Sequence, residues 1–520
     1  MLLTTIVFVP LIGAVLVLLA GGRGDRPERE PVVRYLALTV SLLEFVLTLW
    51  LWGRFNPESS SFQFVEQHAW LPQFGISYHL GLDGISLFLV VLTAFLTPLA
   101  LLTSWQSIHK SQKLFSFFLL ALETAMLGVF VSLDLFLFYI FWDAVLIPMY
   151  FLIGIWGYDR RIYAAVKFIL YTMVGSILML IAIIGLAYAH ASAAGTPSFD
   201  LLDLYGTVLP WGLEKWFFLA FTLAFVIKVP LFPFHTWLPD AHVEAPTGGS
   251  VILAGVMLKM GTYGLLRFSF PLFPNAAHLF APWLAILAVV GIVYGALVAM
   301  VQPDLKKLVA YSSVSHLGFV VLGLCAMNVN GVEGSVYQML NHGVSTGGLF
   351  MIVGMLSDRR HTRLIAEFGG LKGVMPMLVR MFLLVTLSSV ALPGMNGFIG
   401  EFLILLGAFR ADPRLASVAA TGVILSAVYM LWMFQRVNYG IVKNEKNRRL
   451  PDLSPREWSL MIPTVALAIL MGIVPGVFLR PMEPSVVKIL DTMHGTTPTA
   501  AELRESSLPE RQPDRSVRDK

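Results

Sequence analysis

Two lysines within apolar segments are the residues of this sequence best suited to chemistry. Lys228 and Lys259 each lie near the middle of a helix-length apolar run within residues 221–266. A lysine at the centre of a membrane helix costs about 3 kcal/mol, so both ammonium groups must face protein or water and not lipid. Pro230 and Pro233 predict that the first helix breaks just past its lysine, because proline removes a backbone hydrogen bond. A broken membrane helix beside a buried charge is typical of ion paths.

An acidic residue and two histidines lie within other apolar runs. Asp143 must be protonated or paired with a cation, and its pair with a lysine is either static or a switch, because desolvated lysine can lose its proton. His316 and His342 could each be an ordinary packing residue. Together, between Lys259 and Glu401 along the chain, they predict a water-linked proton relay. The candidate relay residues are Asp143, Lys228, Lys259, Glu401, His316, His342 and Glu123.

Other charged residues receive less specific interpretations. Glu44, Arg380 and Arg436 lie nearer to span ends, where we expect them to snorkel to the interface or cap a helix. The break after Lys228 also contains a polar cluster. Its members are His235, Asp240, His242 and Glu244. Because no further ligand set is evident, we expect a polar vestibule or gate here and no metal site.

Composition restricts the class of protein. The chain has 520 residues, of which 57% are hydrophobic and 13% charged, and its apolar runs of about 20 residues match the thickness of a bilayer. This composition predicts an all-α polytopic membrane protein. The formal charge of +4 forms no basic patch for nucleic acid, and the single cysteine, Cys325, excludes a disulfide or a four-cysteine cluster within the chain. No phosphate-binding or dinucleotide-binding motif is present.

The apolar runs predict fourteen transmembrane helices. They cover 2–20, 32–52, 85–104, 114–132, 135–155, 164–190, 214–236, 248–269, 281–301, 307–327, 332–356, 373–410, 416–440 and 457–480. The run 373–410 is too long for one straight span and is interrupted at PGMNG, so we interpret it as one discontinuous helix. Lysine and arginine concentrate in the odd-numbered loops, which predicts that these loops are cytoplasmic and that both termini lie outside.

The order of the spans suggests an internal repeat. Counting five helices from the fourth and five from the ninth, the broken helix is the fourth member of each unit, with Lys228 in one and Glu401 in the other. Because five is odd, consecutive units must have opposite orientations, as in inverted-repeat transporters. The predicted division is 1–113 for three N-terminal helices, 114–270 and 271–440 for the two five-helix repeats, 441–490 for a C-terminal transmembrane helix, and 491–520 for a polar disordered tail.

Several sequence blocks together carry a resemblance to a known family. The blocks are FWDAVLIPMYFLIGIWG, KFILYT, IKVPLFPFHTWLPDAHVEAPTGGSVILAGVMLKMGTYGLLRF, LKKLVAYSSVSHLGFV, NHGVSTGGLF, RRHTR and LPGMNGFIGEF. Over residues 1–480 the chain resembles the subunit M (chain 4) family of proton-pumping NADH:quinone oxidoreductase, respiratory complex I. The resemblance implies fourteen helices, two inverted five-helix repeats with discontinuous helices, and an antiporter-like subunit of the membrane arm.

The resemblance also assigns roles to individual residues. It places the helix-five acid of the family at Asp143, the helix-seven and helix-eight lysines at Lys228 and Lys259, and the helix-twelve acid at Glu401. The histidines of the family's polar axis correspond to His316 and His342. The family usually has glutamate where this chain has Asp143, and the shorter side chain predicts a longer or water-bridged pairing with Lys228.

The implied function is redox-driven proton translocation. This chain would hold no cofactor and no metal, while NADH, FMN, iron-sulfur clusters and quinone would bind to partner subunits. The expected partners are the other membrane-arm subunits, the other antiporter-like subunits in particular, and the lipid bilayer. The expected location is the bacterial inner (plasma) membrane, with both termini periplasmic. Two alternatives remain at this stage: a subunit of a multi-subunit Na⁺/H⁺ antiporter or membrane-bound hydrogenase, and a structural membrane scaffold.

Overall fold

The computed structural model describes residues 1–22, 27–442 and 444–494, and these are almost entirely helical. The first half contains α1 (Leu2–Gly21), α2 (Glu30–Arg54), α3 (Gly84–Thr103), α4 (Gln112–Val131), α5 (Leu135–Ala144), α6 (Leu146–Trp156), α7 (Arg161–Ala194), α8 (Leu201–Leu204), α9 (Trp211–Lys228) and α10 (Trp237–Glu244). The second half contains α11 (Thr247–Ile252), α12 (Leu258–Gly264), α13 (Phe270–Leu272), α14 (Pro274–Met300), α15 (Leu305–Cys325), α16 (Val329–Arg360), α17 (Pro376–Ser389), α18 (Asn396–Ala411), α19 (Pro413–Asn438), α20 (Pro455–Ile473) and α21 (Gly476–Met493).

Most of these helices are long and apolar enough to cross a bilayer. Within the described ranges, 12 segments qualify by length and composition. In two of them, Thr247–Leu272 and Val329–Arg360, the most apolar stretch is completely buried inside the chain. The prediction of an all-α polytopic membrane protein is therefore confirmed. The total of fourteen spans and the inverted repeat remain predictions.

Three helical segments depart from regular geometry, and each lies at candidate site residues. Helix α9 ends at Lys228, and the next helix begins only at Trp237, so the predicted break is present. The indole nitrogen of Trp237 donates to the carbonyl of Ile227 (2.9 Å), which satisfies one acceptor at the broken end. In the long run before Glu401, α17 and α18 are likewise separate helices. Two π-helical turns, Leu253–Met257 and Leu265–Ser269, flank α12.

A β-hairpin on the connection from α2 to α3 was not predicted from the sequence. Strands β1 (Gln63–Leu71) and β2 (Ile76–Leu82) pair antiparallel. The carboxylate of Asp134 accepts from the backbone nitrogen of Ser77 (2.9 Å) and also caps α5. The hairpin therefore ties the N-terminal helices to the start of the helix that carries Asp143.

The C-terminal region differs from the prediction of one span over 457–480. Helix α20 ends at Ile473, and the separate helix α21 follows and continues to Met493. The segment predicted to be a disordered tail from residue 491 therefore begins within a helix, whereas residues 495–520 lie outside the described part. Helix α21 packs on α3, where the hydroxyl of Ser485 accepts from the backbone nitrogen of Gly84 (3.0 Å).

Candidate functional site

A buried row of four titratable side chains lies in the second half of the chain. In this row, the ammonium of Lys259 contacts Nδ1 of His342 at 2.7 Å, and Nδ1 of His316 contacts Oε1 of Glu401 at 2.9 Å. The two imidazole rings lie 5.9 Å apart, centroid to centroid. All four residues are at most 3% exposed. The structure thus brings together four of the seven candidate residues as two hydrogen-bonded pairs with adjacent rings.

The backbone around Lys259 explains how a lysine is held in this interior. Its ammonium also hydrogen-bonds to the carbonyl of Ala254, which lies in the first π-helical turn. Insertions of this type shift the hydrogen-bonding register of a helix and recur at functional sites. The ammonium therefore has two polar partners in a region without exposed surface, which offsets part of its desolvation cost.

At the other end of the row, amide side chains of α16 hold the carboxyl of Glu401. Nε2 of Gln338 donates to Oε1 of Glu401 (3.0 Å), and Nδ2 of Asn341 donates to the amide oxygen of Gln338 (2.9 Å). Gly400 permits this approach, since a Cβ there would lie 2.5 Å from the Gln338 amide oxygen. Helices α16 and α18 thus fix the position of the acid.

Lys228 and Asp143 are separate from this row and do not touch each other. The ammonium of Lys228 is buried, has no hydrogen-bond partner among the described residues, and lies 4.7 Å from the ring centroid of Trp142. Oδ1 of Asp143 is also buried without a hydrogen-bond partner in the described part of the chain, and Asp143 is an electrostatic neighbour of Lys228. The indole of Trp142 is oriented by its hydrogen bond to Ser176 (2.9 Å). Among the described residues, the ammonium of Lys228 is therefore held by a cation–π contact and by no hydrogen bond.

A glycine sets the spacing between the two lysine-bearing helices. A Cβ on Gly261 would lie 2.7 Å from the carbonyl oxygen of Phe225 and 2.9 Å from the backbone nitrogen of Val229. These two residues flank Lys228, and Gly261 is two positions after Lys259. The break of α9 therefore packs directly on α12, and a side chain at Gly261 would separate the helices.

Glu123, the seventh candidate, lies near a second buried acid. It is completely buried, and neither carboxylate oxygen has a hydrogen-bond partner within the described residues. Its electrostatic neighbour is Glu44, which is also completely buried without a partner. The interpretation of Glu44 as an interfacial residue is therefore wrong: α2 extends from Glu30 to Arg54, so this position lies in the middle of the helix.

The polar cluster after Lys228 is partly neutralised by neighbouring helices. Lys167 contacts the carboxylate of Asp240 (2.7 Å), and Glu244 accepts from the backbone nitrogen of Arg160 (2.9 Å). The ring of His242 stacks on Phe350 with a centroid distance of 4.6 Å, and both ring nitrogens lack partners among the described residues. The described part of the chain contains no group of three or more metal-ligating side chains.

The other two charged residues expected near span ends also have defined positions. Arg380 is exposed at the start of α17 and contacts the sulfur of Met377. Arg436 is only half-buried in the last turn of α19, and its guanidinium lies 3.9 Å from the ring centroid of Trp432. Neither belongs to the row.

Comparisons with known proteins agree with this architecture. Residues 33–129 match the family model for the amino terminus of NADH-ubiquinone oxidoreductase chain 4, and residues 132–427 match the transmembrane family of NADH:quinone oxidoreductase and Mrp antiporters. NADH-quinone oxidoreductase subunit M of Rhodobacter capsulatus is 45% identical over 509 residues, which cover 96% of this chain and 98% of that protein.

Solved structures share the fold. A chain of respiratory complex I from Thermus thermophilus with bound NADH superposes with a TM-score of 0.85 at 34% identity, covering 95% of this chain and 100% of that one. A chain of the Mrp complex from Dietzia sp. gives a TM-score of 0.79 at 21% identity, covering 98% of this chain and 55% of that one, a likeness of fold alone. The chain therefore belongs to the NADH-quinone oxidoreductase subunit M (chain 4) family of antiporter-like membrane subunits.

Proposed function

We propose that this chain is a proton-translocating subunit of the membrane arm of an NADH:quinone oxidoreductase of the complex I type. The observation that carries the proposal is the buried row from Lys259 through His342 and His316 to Glu401. Every member can bind or release a proton, and the row lies within helices buried in the chain. Electron transfer from NADH to quinone takes place in partner subunits, which hold the FMN and the iron-sulfur clusters.

The hydrogen bonds define one consistent polarity of the row. When Lys259 donates to Nδ1 of His342, that imidazole carries its own proton on Nε2. When Nδ1 of His316 donates to an ionised Glu401, its Nε2 is the free acceptor. Nε2 of each ring has no other partner among the described residues. A proton leaving Lys259 can therefore reach Glu401 by successive transfers, with one bridging water or ring rotation between the imidazoles.

Lys228 and Asp143 act as the switch that drives the row. As Asp143 approaches, it stabilises the protonated lysine, and as it withdraws, desolvation favours release of the proton. The close packing at Gly261, where the end of α9 meets α12, supports a link between this event and Lys259. Glu123 completes the set on the side of the N-terminal helices.

The setting of the proposed function is the bacterial inner membrane, with both termini in the periplasm and other antiporter-like subunits as neighbours. Basic residues in the odd-numbered loops support this orientation. We further propose the division into three N-terminal helices (1–113), two inverted repeats (114–270 and 271–440) and a C-terminal region (441–490) that contains α20 and most of α21.

The experiment replaces Lys228 by Met in the assembled complex. Purified complex in proteoliposomes is supplied with NADH and quinone, and proton uptake into the vesicles is measured together with NADH oxidation. We expect fewer protons per electron, because methionine fills the same space without a proton to exchange. An undiminished ratio would overturn the assignment. Copurified flavin and iron-sulfur subunits support the proposal, whereas cation antiport without them would show that the chain belongs to an antiporter.

A further inference from the structure

A cavity on the side of the basic loops has the features of a headgroup site. It has a volume of about 490 Å³ and lies between the last turn of α19 and the connection from α16 to α17. Its lining includes Phe368, Trp432, Gln435, Arg436 and Tyr439. The cavity is separate from the proton row, because none of its lining residues belongs to that row.

Arg436 gives the cavity an unsatisfied positive charge. Its Nε and Nη2 atoms are buried without a hydrogen-bond partner among the described residues. The guanidinium stacks on Trp432, 3.9 Å from the ring centroid, which fixes its plane. Unpaired buried donors are costly, and a planar guanidinium is suited to bidentate binding of phosphate oxygens. An oxyanion in the cavity would satisfy these donors.

The two acids next in sequence to residues that line the cavity are bound to other residues. The carboxylate of Glu367 lies 3.6 Å from the guanidinium of Arg360 and accepts from Nδ2 of Asn444 at 2.8 Å. Asp304 pairs with Arg363 at 3.3 Å. The charge of Arg436 is therefore not neutralised by either of them.

A second cation lies beside an aromatic residue of the cavity lining. The ammonium of Lys372 lies 5.1 Å from the ring centroid of Tyr439, and this ring also lines the cavity. Two positive charges on one aromatic-lined cavity favour an anionic ligand with phosphate chemistry over a neutral one.

The surface of α19 next to the cavity is apolar and exposed. It forms a stripe at helical spacing, with exposed fractions of 67% for Ile424, 46% for Val428 and 45% for Trp432. The stripe leads from the middle of the helix to the cavity at its end. An apolar stripe that ends at aromatic and cationic side chains has the same order of apolar and polar regions as a phospholipid, whose acyl chains would lie along the helix and whose headgroup would lie at the interface.

From this geometry we infer that the Arg436 cavity binds the phosphodiester headgroup of an anionic phospholipid, with its acyl chains on the stripe Ile424–Val428–Trp432. A phospholipid headgroup and free phosphate both offer an oxyanion to Arg436, but only the lipid would also use the apolar stripe. Competition with inorganic phosphate distinguishes the two ligands.

The test uses the detergent-purified, delipidated complex containing Arg436→Gln. It is incubated with phosphatidylglycerol or phosphatidylcholine, separated from free lipid, and analysed for retained lipid. We expect wild type to retain phosphatidylglycerol preferentially and Arg436→Gln to bind it about tenfold more weakly, because a charge-assisted hydrogen-bonded contact is lost. The matched control is Arg380→Gln, an exposed arginine on the neighbouring helix α17, which should behave as wild type.

Several outcomes would overturn the inference. Equal retention by Arg436→Gln and wild type, or equal retention of the two lipids, means that the cavity does not select an anionic headgroup. Displacement of the lipid by millimolar inorganic phosphate identifies a phosphate site and not a lipid site. If Arg436→Gln fails to assemble, the test uses Arg436→Lys, which keeps the charge without the planar fork, and we expect it to retain less phosphatidylglycerol than wild type. Retention at the wild-type level by Arg436→Lys contradicts the role of the guanidinium.

Discussion

Replacing Gly261 by alanine tests how α12 and the broken end of α9 position the two lysines. An added Cβ would meet two backbone atoms, the carbonyl oxygen of Phe225 at 2.7 Å and the nitrogen of Val229 at 2.9 Å. Backbone atoms cannot rotate away as a side chain can, so α9 must move by about half an ångström, at a cost of about 1–3 kcal/mol. The gain in helix propensity from glycine to alanine, about 1 kcal/mol, offsets only part of this cost.

The assay compares Gly261→Ala with Gly212→Ala, which lies in α9 where nothing is within 4 Å of an added Cβ. Both complexes are reconstituted into proteoliposomes, and heat inactivation and the number of protons pumped per electron are measured. We expect Gly261→Ala to lower both quantities, because the helices separate beside Lys228 and Lys259, and we expect Gly212→Ala to match wild type. Identical behaviour of the two variants would refute the packing argument.

Three further predictions concern acidic side chains. Asp143→Asn should lower the number of protons pumped per electron, whereas Asp143→Glu should retain pumping because the longer side chain reaches closer to Lys228; unchanged pumping with reduced assembly in Asp143→Asn would instead favour a scaffold role. Glu44→Gln should leave the heat stability of the complex unchanged. Burying an ionised carboxylate without a partner costs too much free energy, so the carboxyl is neutral, and glutamine has the same shape without a charge. A large loss of stability would show that this carboxylate is charged and has a partner. Asp134→Ala should lower heat stability by about 1–2 kcal/mol, because it removes the cap that accepts from Phe136 and Leu137 and the contact to Ser77, and wild-type stability would contradict this role.

The sequence was informative wherever a residue is incompatible with its apolar surroundings. Lys228 followed by two prolines predicted a broken helix, and the structure ends α9 at this lysine. Lys259 was predicted to face protein or water for the same reason, because lipid cannot hold its charge, and the structure buries it. These inferences use only the cost of a charge or a proline within a membrane helix, which does not depend on the rest of the fold.

Contacts between distant segments could not be predicted in this way. Lys259 and His342 are 83 positions apart, and His316 and Glu401 are 85 apart, so only tertiary packing decides which histidine pairs with which charged residue. Glu44 was misinterpreted although the predicted span 32–52 and the observed α2 nearly coincide, because an apolar run alone does not show whether its carboxyl reaches the interface or packs inside the chain. The β-hairpin was overlooked because its strands are partly exposed and lie between two strongly apolar helices, whose signal dominates the region.

The most direct measurement of the central claim is the number of protons pumped per electron by a complex carrying Glu401→Gln. Glutamine keeps the hydrogen bond from Gln338 and the packing against α16, but it cannot accept a proton from His316. The matched control is Glu333→Gln on α16, an acid outside the row. The account predicts fewer protons per electron for Glu401→Gln alone. A wild-type ratio in Glu401→Gln would contradict the claim that the buried row conducts protons.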